Sequence, residues 1–298
     1  MRGRSTVTQL LKYLDECGEI ISTGGIVDSI YFDFSKAFDT VPHRRLISKL
    51  KAYGIDGQIL SWIESFLTER EQEVRVNGEL SKPKHVISGI PQGSVLGPLL
   101  FVVYINDLPD VVKSNVLLFA DDTKIYRQIC SRNDALMLQN DIKSLTDWSE
   151  KLSLKSNTSK CHVLTLGKLE NIMYTQRYLL YEDELEHVFQ EKDLGVIVDM
   201  ELTFEEHISA KVNKANAIMG LIRRSFNFLD CGMFRKLYTT FVRPHIEYAQ
   251  SVWSPHLAKY VNILENVQVR APKLVDGMKG LDYADRLRKL NLPTLQHR

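Results

Sequence analysis

Apolar positions recur along the chain with two periods, and the switches between them mark out its elements. STVTQLLKYLDE over 5–16 sets Ser5 ahead of a helical period and predicts a Ser-capped helix; IVDSIYFD over 26–33 predicts a strand whose apolar run ends on Asp33. HRRLISKLKAYG predicts a helix from about His43 that stops at Gly54, and another follows over about 57–68. EQEVRVNGELSKPKHVI alternates around Asn77-Gly78, the strongest short hairpin signal in the chain. SGIPQGSVLGPLLFVVYINDL reads as a glycine-punctuated loop feeding an apolar helix that stops near Pro109. SNVLLFADDTKIYRQI predicts strand, acidic turn, strand, and DALMLQNDIKSLTDWSEKL an amphipathic helix. HVLTLG is a further strand, and DLGVIVD another after a polar, tyrosine-rich connection. Beyond it Ile208, Val212, Ala215, Met219 and Ile222 recur at helical spacing, as do the aromatics from Phe234 to Tyr248. The order β-α-β-α-β followed by helices predicts an α+β domain with a helical domain behind it.

Composition narrows the class. With 298 residues, 44% hydrophobic and 25% charged, the chain can bury a sizeable core and is no disordered protein. No run is apolar and long enough for a transmembrane helix, and the charged start MRGRSTVTQLLKYLDE does not read as a signal peptide, so an intracellular protein of nucleus or cytoplasm is expected. The four cysteines, Cys17, Cys130, Cys161 and Cys231, lack CxxC spacing, which argues against a zinc site or a disulfide framework.

The net charge of +1 hides an asymmetry. From Phe204 onward there are 15 Lys and Arg against 8 Asp and Glu, or +7, leaving 23 against 29, or −6, before it. Each cation taken singly reads as a solvated helix surface. Collectively they make a phosphate-binding surface plausible, because neutralising a polyanion needs several cations on one module.

The acidic turn of FADDTK carries the candidate chemistry. Adjacent acids at a strand end are usually a solvated turn, but Asp33 ends another strand, and neighbouring strands would bring Asp33, Asp121 and Asp122 together. Three acids in one cleft repel unless cations sit among them. Hard oxygen ligands suit Mg²⁺ or Mn²⁺, and two such ions can clamp the attacking and leaving oxygens of a displacement at phosphorus.

Taken in order, YFDFSKAFDTVPH, SGIPQGSVLGPLLFVVYINDL, FADDTKIY, SLKSNTSKCHVLTLG and EKDLGVIVD resemble successive palm motifs of reverse transcriptases from non-LTR (LINE-type, jockey- and CR1-like) retrotransposons. The resemblance extends into the tail through RPHIEYAQSVWSP and LENVQVRA. It implies an RNA-directed DNA polymerase with two bound Mg²⁺ or Mn²⁺ ions, joining a dNTP to a DNA primer on an RNA template. Asp33, Asp121 and Asp122 match the metal-binding carboxylates, with Phe34 offering its backbone carbonyl, and Asp39 reads as a structural acid. Phe38 matches the ring under the sugar of the incoming nucleotide, where a 2′-OH would collide; alone it would read as core. Pro91, Gln92 and Gly93 match the loop that touches nucleotide and template, although these glycines could be plain turns. Lys160 matches a lysine near the triphosphate and a candidate proton donor to pyrophosphate, with a solvated turn lysine as the alternative. Leu194 and Gly195 resemble the primer-grip turn, and Lys211, Lys214, Arg223 and Arg224 on the next helix could track the primer-template backbone.

Departures from the family pattern set further expectations. The chain opens at GRST, the tail of an early motif, and neither an endonuclease-like segment nor a cysteine-histidine knuckle is legible, which reads as a truncated or degenerate copy. Pro272 would break a helix that such proteins usually continue. The expected architecture is a right-hand polymerase palm over 1–200, an antiparallel sheet with packed helices and only partial fingers. A helical thumb and C-terminal connection fills 201–298. An inactive remnant that binds nucleic acid, or a scaffold without that binding, are the alternatives.

Overall fold

The computed structural model describes residues 3–168 and 176–295. They form two compact units, one of Cys17–Phe189 and one of Gln190–Arg298 together with Met1–Glu16. That division falls one hairpin before the boundary at 200 read from sequence, because the DLGVIVD strand pairs with the residues just ahead of it.

The first helix, α1 (Thr6–Ser22), begins as its sequence dictates. Thr8 N donates to Ser5 Oγ at 3.1 Å while Ser5 N donates to Thr8 Oγ1 at 2.8 Å, a reciprocal cap. It runs past residue 16 because GEIIS holds no stop signal strong enough to end it.

In the unit of Cys17–Phe189, β1 (Val27–Phe32) lies at the centre of a five-stranded sheet. The short α2 (Ala37–Thr40), then α3 (His43–Ala52) and α4 (Gly57–Leu67), follow it. Next come two small exposed hairpins, in which β2 (Glu71–Gln72) pairs with β5 (Lys84–His85) and β3 (Arg75–Val76) with β4 (Glu79–Leu80). The inner one turns at Asn77 and Gly78, with φ of +51° and +92°, as an Asn-Gly pair favours. Helix α5 (Leu96–Ile105) leads to β6 (Asn115–Phe119), β7 (Asp122–Gln128), α6 (Arg132–Lys151) and β8 (His162–Leu166). Part of the tyrosine-rich connection, residues 169–175, lies outside the described residues. The remainder supplies β9 (Leu179–Leu180), β10 (Asp183–Glu184) and β11 (Glu186–Val188).

The sheet order is β11-β8-β1-β7-β6, antiparallel except for β11, which runs parallel to β8. Ile125 and Val163 stand opposite Ile30 in register, so the three share one face of the sheet. All three are fully buried and join Leu46, Leu50, Leu100, Phe101, Leu138 and Leu145 from the helices in one core. Asp28 lies in this buried setting and is offset by two donors, Thr165 Oγ1 at 2.7 Å and Tyr178 Oη at 2.6 Å. Burial pushes its carboxyl above the usual range, against those two bonds.

In the other unit β12 (Gln190–Asp193) and β13 (Val196–Asp199) form a hairpin, and α7 (Glu205–Ser225) follows. Then come α8 (Cys231–Leu237), a π-helical turn over Tyr238–Val242, α9 (Arg243–Glu247) and α10 (Gln250–Trp253). The last helices are α11 (Ala258–Arg270) and α12 (Tyr283–Leu290). Helix α11 gives way to a 3-10 turn at Ala271, one residue before Pro272, where the missing N–H and the ring make a further α-turn costly.

Candidate active site

A cavity of about 410 Å³ opens at the end of the central strand. Asp33, the residue after β1, lines it together with Asp121, which sits on the two-residue turn between β6 and β7. The register explains the meeting: Phe32 pairs with Thr123, so the end of β1 lies beside the start of β7. Phe34, Ser35, Lys36, Ala37, Phe38, Asp39, Gln92, Asn157 and Lys160 complete the lining. Asp122 is exposed and lies outside it. Among the described residues no group of three or more His, Cys, Asp and Glu is close enough to hold a metal ion.

Asp33 is fixed by the segment 155–161. Asn157 N donates to Asp33 O at 2.8 Å, Ser35 N donates to Lys155 O at 2.8 Å, and Asp33 N donates to Cys161 Sγ at 3.4 Å. Burial pushes the Cys161 thiol up to about 11, so the sulfur beside this carboxylate stays neutral. Lys160 Nζ stands 3.5 Å from Asp33 Oδ2, with both side chains part-exposed at 64% and 40%. An ion pair that open adds little stability but leaves the ammonium free to change partners.

A second set of bonds joins the motif after Asp33 to the glycine-rich loop. Ile90 N donates to Phe38 O and Gly89 N to Val41 O, each at 2.8 Å, and Ser88 Oγ donates to Asp39 O at 2.9 Å. Gly89 is required here: its φ is +90°, and a Cβ would fall 2.8 Å from Asp39 O. Gln92 Nε2 then donates to Asp39 Oδ1 at 3.1 Å, so Asp39 anchors Gln92 at the cavity. The Phe38 ring stacks on Phe101, centroids 4.5 Å apart, and also lines the cavity, so the packing and the site readings of this residue coexist. Pro91 O accepts from Ser94 Oγ at 2.7 Å, while Gly93, at φ +79°, has open space where a Cβ would project.

Leu194 and Gly195 belong to the other unit, where they form the turn between β12 and β13 with φ of +44° and +88°. Lys211 on α7 is half-buried, and its Nζ donates to Gly195 O at 3.1 Å. Burial, helped by Lys192, lowers the Lys211 ammonium from its usual range. Lys214, Arg223 and Arg224 are exposed on the same helix.

The lining residues that sequence reading missed are Ser35, Lys36, Ala37 and Asn157. Lys36 carried the clearest signal, a second cation inside the motif that holds Asp33. It caps α2 in the left-handed region, at φ +50° and ψ +45°, a conformation uncommon for a residue with a side chain.

Residues 25–228 match the family described as reverse transcriptase (RNA-dependent DNA polymerase), and the chain belongs to that family. The relatives that the chain resembles include RNA-directed DNA polymerases of Drosophila mobile elements. It is 29% identical to a probable RNA-directed DNA polymerase from transposon BS of Drosophila melanogaster, over 99% of this chain and 34% of that protein. It is 27% identical to the RNA-directed DNA polymerase from mobile element jockey of Drosophila funebris, over 91% of this chain and 31% of that one. The chain thus spans about a third of the length of these curated relatives. A telomerase structure from Candida albicans, in complex with a fragment of telomeric RNA, superposes with a TM-score of 0.48 at 11% identity, covering 97% of this chain and 54% of that one. Among the described residues no helix is long and apolar enough to cross a membrane.

Proposed function

We propose that the unit of Cys17–Phe189 acts as a palm, joining a dNTP to the 3′-OH of a DNA primer on an RNA template, with the basic helical unit as thumb. The observation that carries this reading is the meeting of Asp33 and Asp121, from separate strands, in one cavity with Phe38, Gln92 and Lys160. Reverse transcriptases work with divalent metal ions, and the donor set fits one: Mg²⁺ is commonly held by one or two carboxylates plus substrate phosphates. Asp33, Asp121 and the Phe34 carbonyl would hold it, with Asp122 adjacent, and two such ions would lower the cost of charge developing on the attacking and leaving oxygens.

The remaining work falls to the chain's own side chains. Lys160 Nζ, already beside Asp33, is placed to give a proton to the departing pyrophosphate oxygen. Lys36 adds a second cation to the lining for the triphosphate. Phe38, backed by Phe101, presents a fixed ring to the sugar, so an added 2′-OH meets a surface that cannot yield. Gln92, tied to Asp39, positions the nucleotide, with Pro91 and Gly93 shaping its loop. Lys214, Arg223 and Arg224 neutralise backbone phosphates without reading sequence, and Leu194 and Gly195 meet the primer.

The test is extension of a DNA primer on an RNA template with Mg²⁺ and dNTPs. Incorporation that Asp33→Asn removes supports the reading. One observation favours a second reading, a nucleic-acid-binding domain without turnover: Asp122 is exposed and outside the lining. Salt-sensitive binding of the hybrid without any incorporation would select it.

A further inference from the structure

The RPHIEYAQSVWSP segment has no part in the chemistry above, yet it is built around one contact. Arg243 Nε donates to Glu247 Oε1 at 2.7 Å, an ion pair one helical turn apart with the arginine buried, and this fixes the end of α9. Tyr248 follows at that end. Its carbonyl accepts from the buried Trp253 Nε1 at 2.8 Å, and Ala249 reverses the chain at φ +53°. The Tyr248 side chain is thereby aimed at the Leu194–Gly195 turn. Tyr248 Oη donates to Leu194 O at 2.8 Å and stands 3.1 Å from Thr6 Oγ1. The ring lies against Gly195, where a Cβ would fall 3.1 Å from Cε1.

Lys211 meets the same turn through its bond to Gly195 O, its Nζ 6.0 Å from the Tyr248 ring centroid. Both carbonyls of a two-residue turn are therefore held by side chains from two different helical segments. Leu194 needs such support, because a residue with a Cβ is strained in the left-handed region. An ammonium spent on a carbonyl and half withdrawn from water is also a poor partner for a mobile phosphate.

We infer that Tyr248 and Lys211 are positioning residues that set the conformation of the Leu194–Gly195 turn, and that Lys211 acts through that turn instead of on the nucleic-acid backbone. This rests on the reading of the turn as the primer contact. The two residues act on how a primer end is received, while hybrid affinity in general comes from the exposed cations.

The experiment measures, for the full 298-residue chain, the affinity for an RNA/DNA hybrid with a recessed primer 3′ end and for the same hybrid with blunt ends. Tyr248→Phe removes only the hydroxyl and Lys211→Met only the ammonium. Each is expected to reduce the preference for the recessed end by roughly threefold to tenfold, the range one hydrogen bond governs, with blunt-hybrid affinity and melting temperature little changed. Lys211→Arg, which can still reach the carbonyl, should keep the preference. If the unaltered chain shows no preference, the turn is no primer contact and the inference falls with that reading. If the unaltered chain does prefer the recessed end and both variants retain that preference, the inference alone fails. An equal loss on both hybrids in Lys211→Met would assign Lys211 to the phosphates and also overturn it.

Discussion

Among the described residues four hairpins close through two-residue turns, and three of them, at Asn77-Gly78, Ala120-Asp121 and Leu194-Gly195, meet the same steric problem in different settings. Asn77-Gly78 uses residues that tolerate positive φ, and the strands on either side are exposed. Ala120-Asp121 and Leu194-Gly195 each force a residue with an ordinary side chain to positive φ, at +52° and +44°. Such a residue costs on the order of 1 kcal/mol, so something else must hold the turn. At Asp121 the reward is a carboxylate delivered to the cavity that Asp33 also lines, and at Leu194 two carbonyls are grasped by Tyr248 and Lys211. Tyr181, in the β9–β10 turn, is also at positive φ, at +58°, so strain alone does not mark chemistry; what sets the Asp121 and Leu194 turns apart is the carboxylate one delivers and the carbonyls held at the other.

The comparison breaks first at Asp121. Asp121→Asn keeps the turn's shape and removes its charge, so primer extension should fall by about a hundredfold or more, while hybrid affinity changes little. Steady-state extension and equilibrium binding on the same preparation would check both halves. A variant that still extends at near-normal rate would return this turn to the class of Asn77-Gly78.

The Leu194-Gly195 hairpin should yield to acid. His207 is fully buried, its Nδ1 accepts from Ile197 N at 3.0 Å on β13, and its ring tilts over Trp253 at 5.1 Å. Burial, with Lys211 nearby adding to it, lowers His207 to about 4, well below the ordinary imidazole value. The unfolded chain therefore binds more protons between about pH 6.5 and 4, and stability is lost as pH falls through that window, by up to about 3 kcal/mol. Denaturant melts of the chain at pH 7, 5.5 and 4.5 should show the decline. His207→Asn offers an oxygen in place of Nδ1 and should flatten the slope even if it lowers stability throughout.

How far the sequence foretold these turns differs for a physical reason. Asn77-Gly78, the His43 helix with its stop near Gly54 and the strand ending on Asp33 were legible because local chemistry decides them. The acidic turn was legible as a turn, and its partnership with Asp33 followed from expecting the two strands to be neighbours. Nothing local announced Tyr248 or Lys211 at the Leu194-Gly195 turn, since those bonds join residues distant in sequence. Lys211 read as one more cation on a basic helix, and only its half-burial against a carbonyl distinguishes it from Lys214. The parallel pairing of β11 with β8 was hidden too, because three residues of strand have no readable period.

Phe38 sharpens the comparison from inside the cavity that Asp121 serves. Phe38→Val should improve ribonucleotide use relative to deoxynucleotide by roughly tenfold to a hundredfold, the worth of about 1–3 kcal/mol of relieved clash. The stack on Phe101 would go as well, so the melting temperature should drop in the same variant. Lower stability with unchanged sugar selectivity would leave Phe38 as packing alone.

The smallest expected effect tests whether strain at Ala120 is retained for its consequence. Ala120→Gly removes the Cβ penalty at φ +52° but adds freedom to the unfolded chain, and these nearly cancel. A net gain of about 0.5 kcal/mol is expected, read as a small rise in denaturation midpoint. The same glycine lets the turn sample more conformations, so the Asp121 carboxylate should occupy its place in the cavity for a smaller fraction of the time. Extension should then fall severalfold while stability rises. The matching change at Asn77, Asn77→Gly, should leave extension untouched, since that turn delivers no side chain to the site. If both glycine variants behave alike, positive φ at Ala120 is a tolerated accident of the hairpin, as it is at Tyr181, and the conformation of the turn does not serve the Asp121 carboxylate.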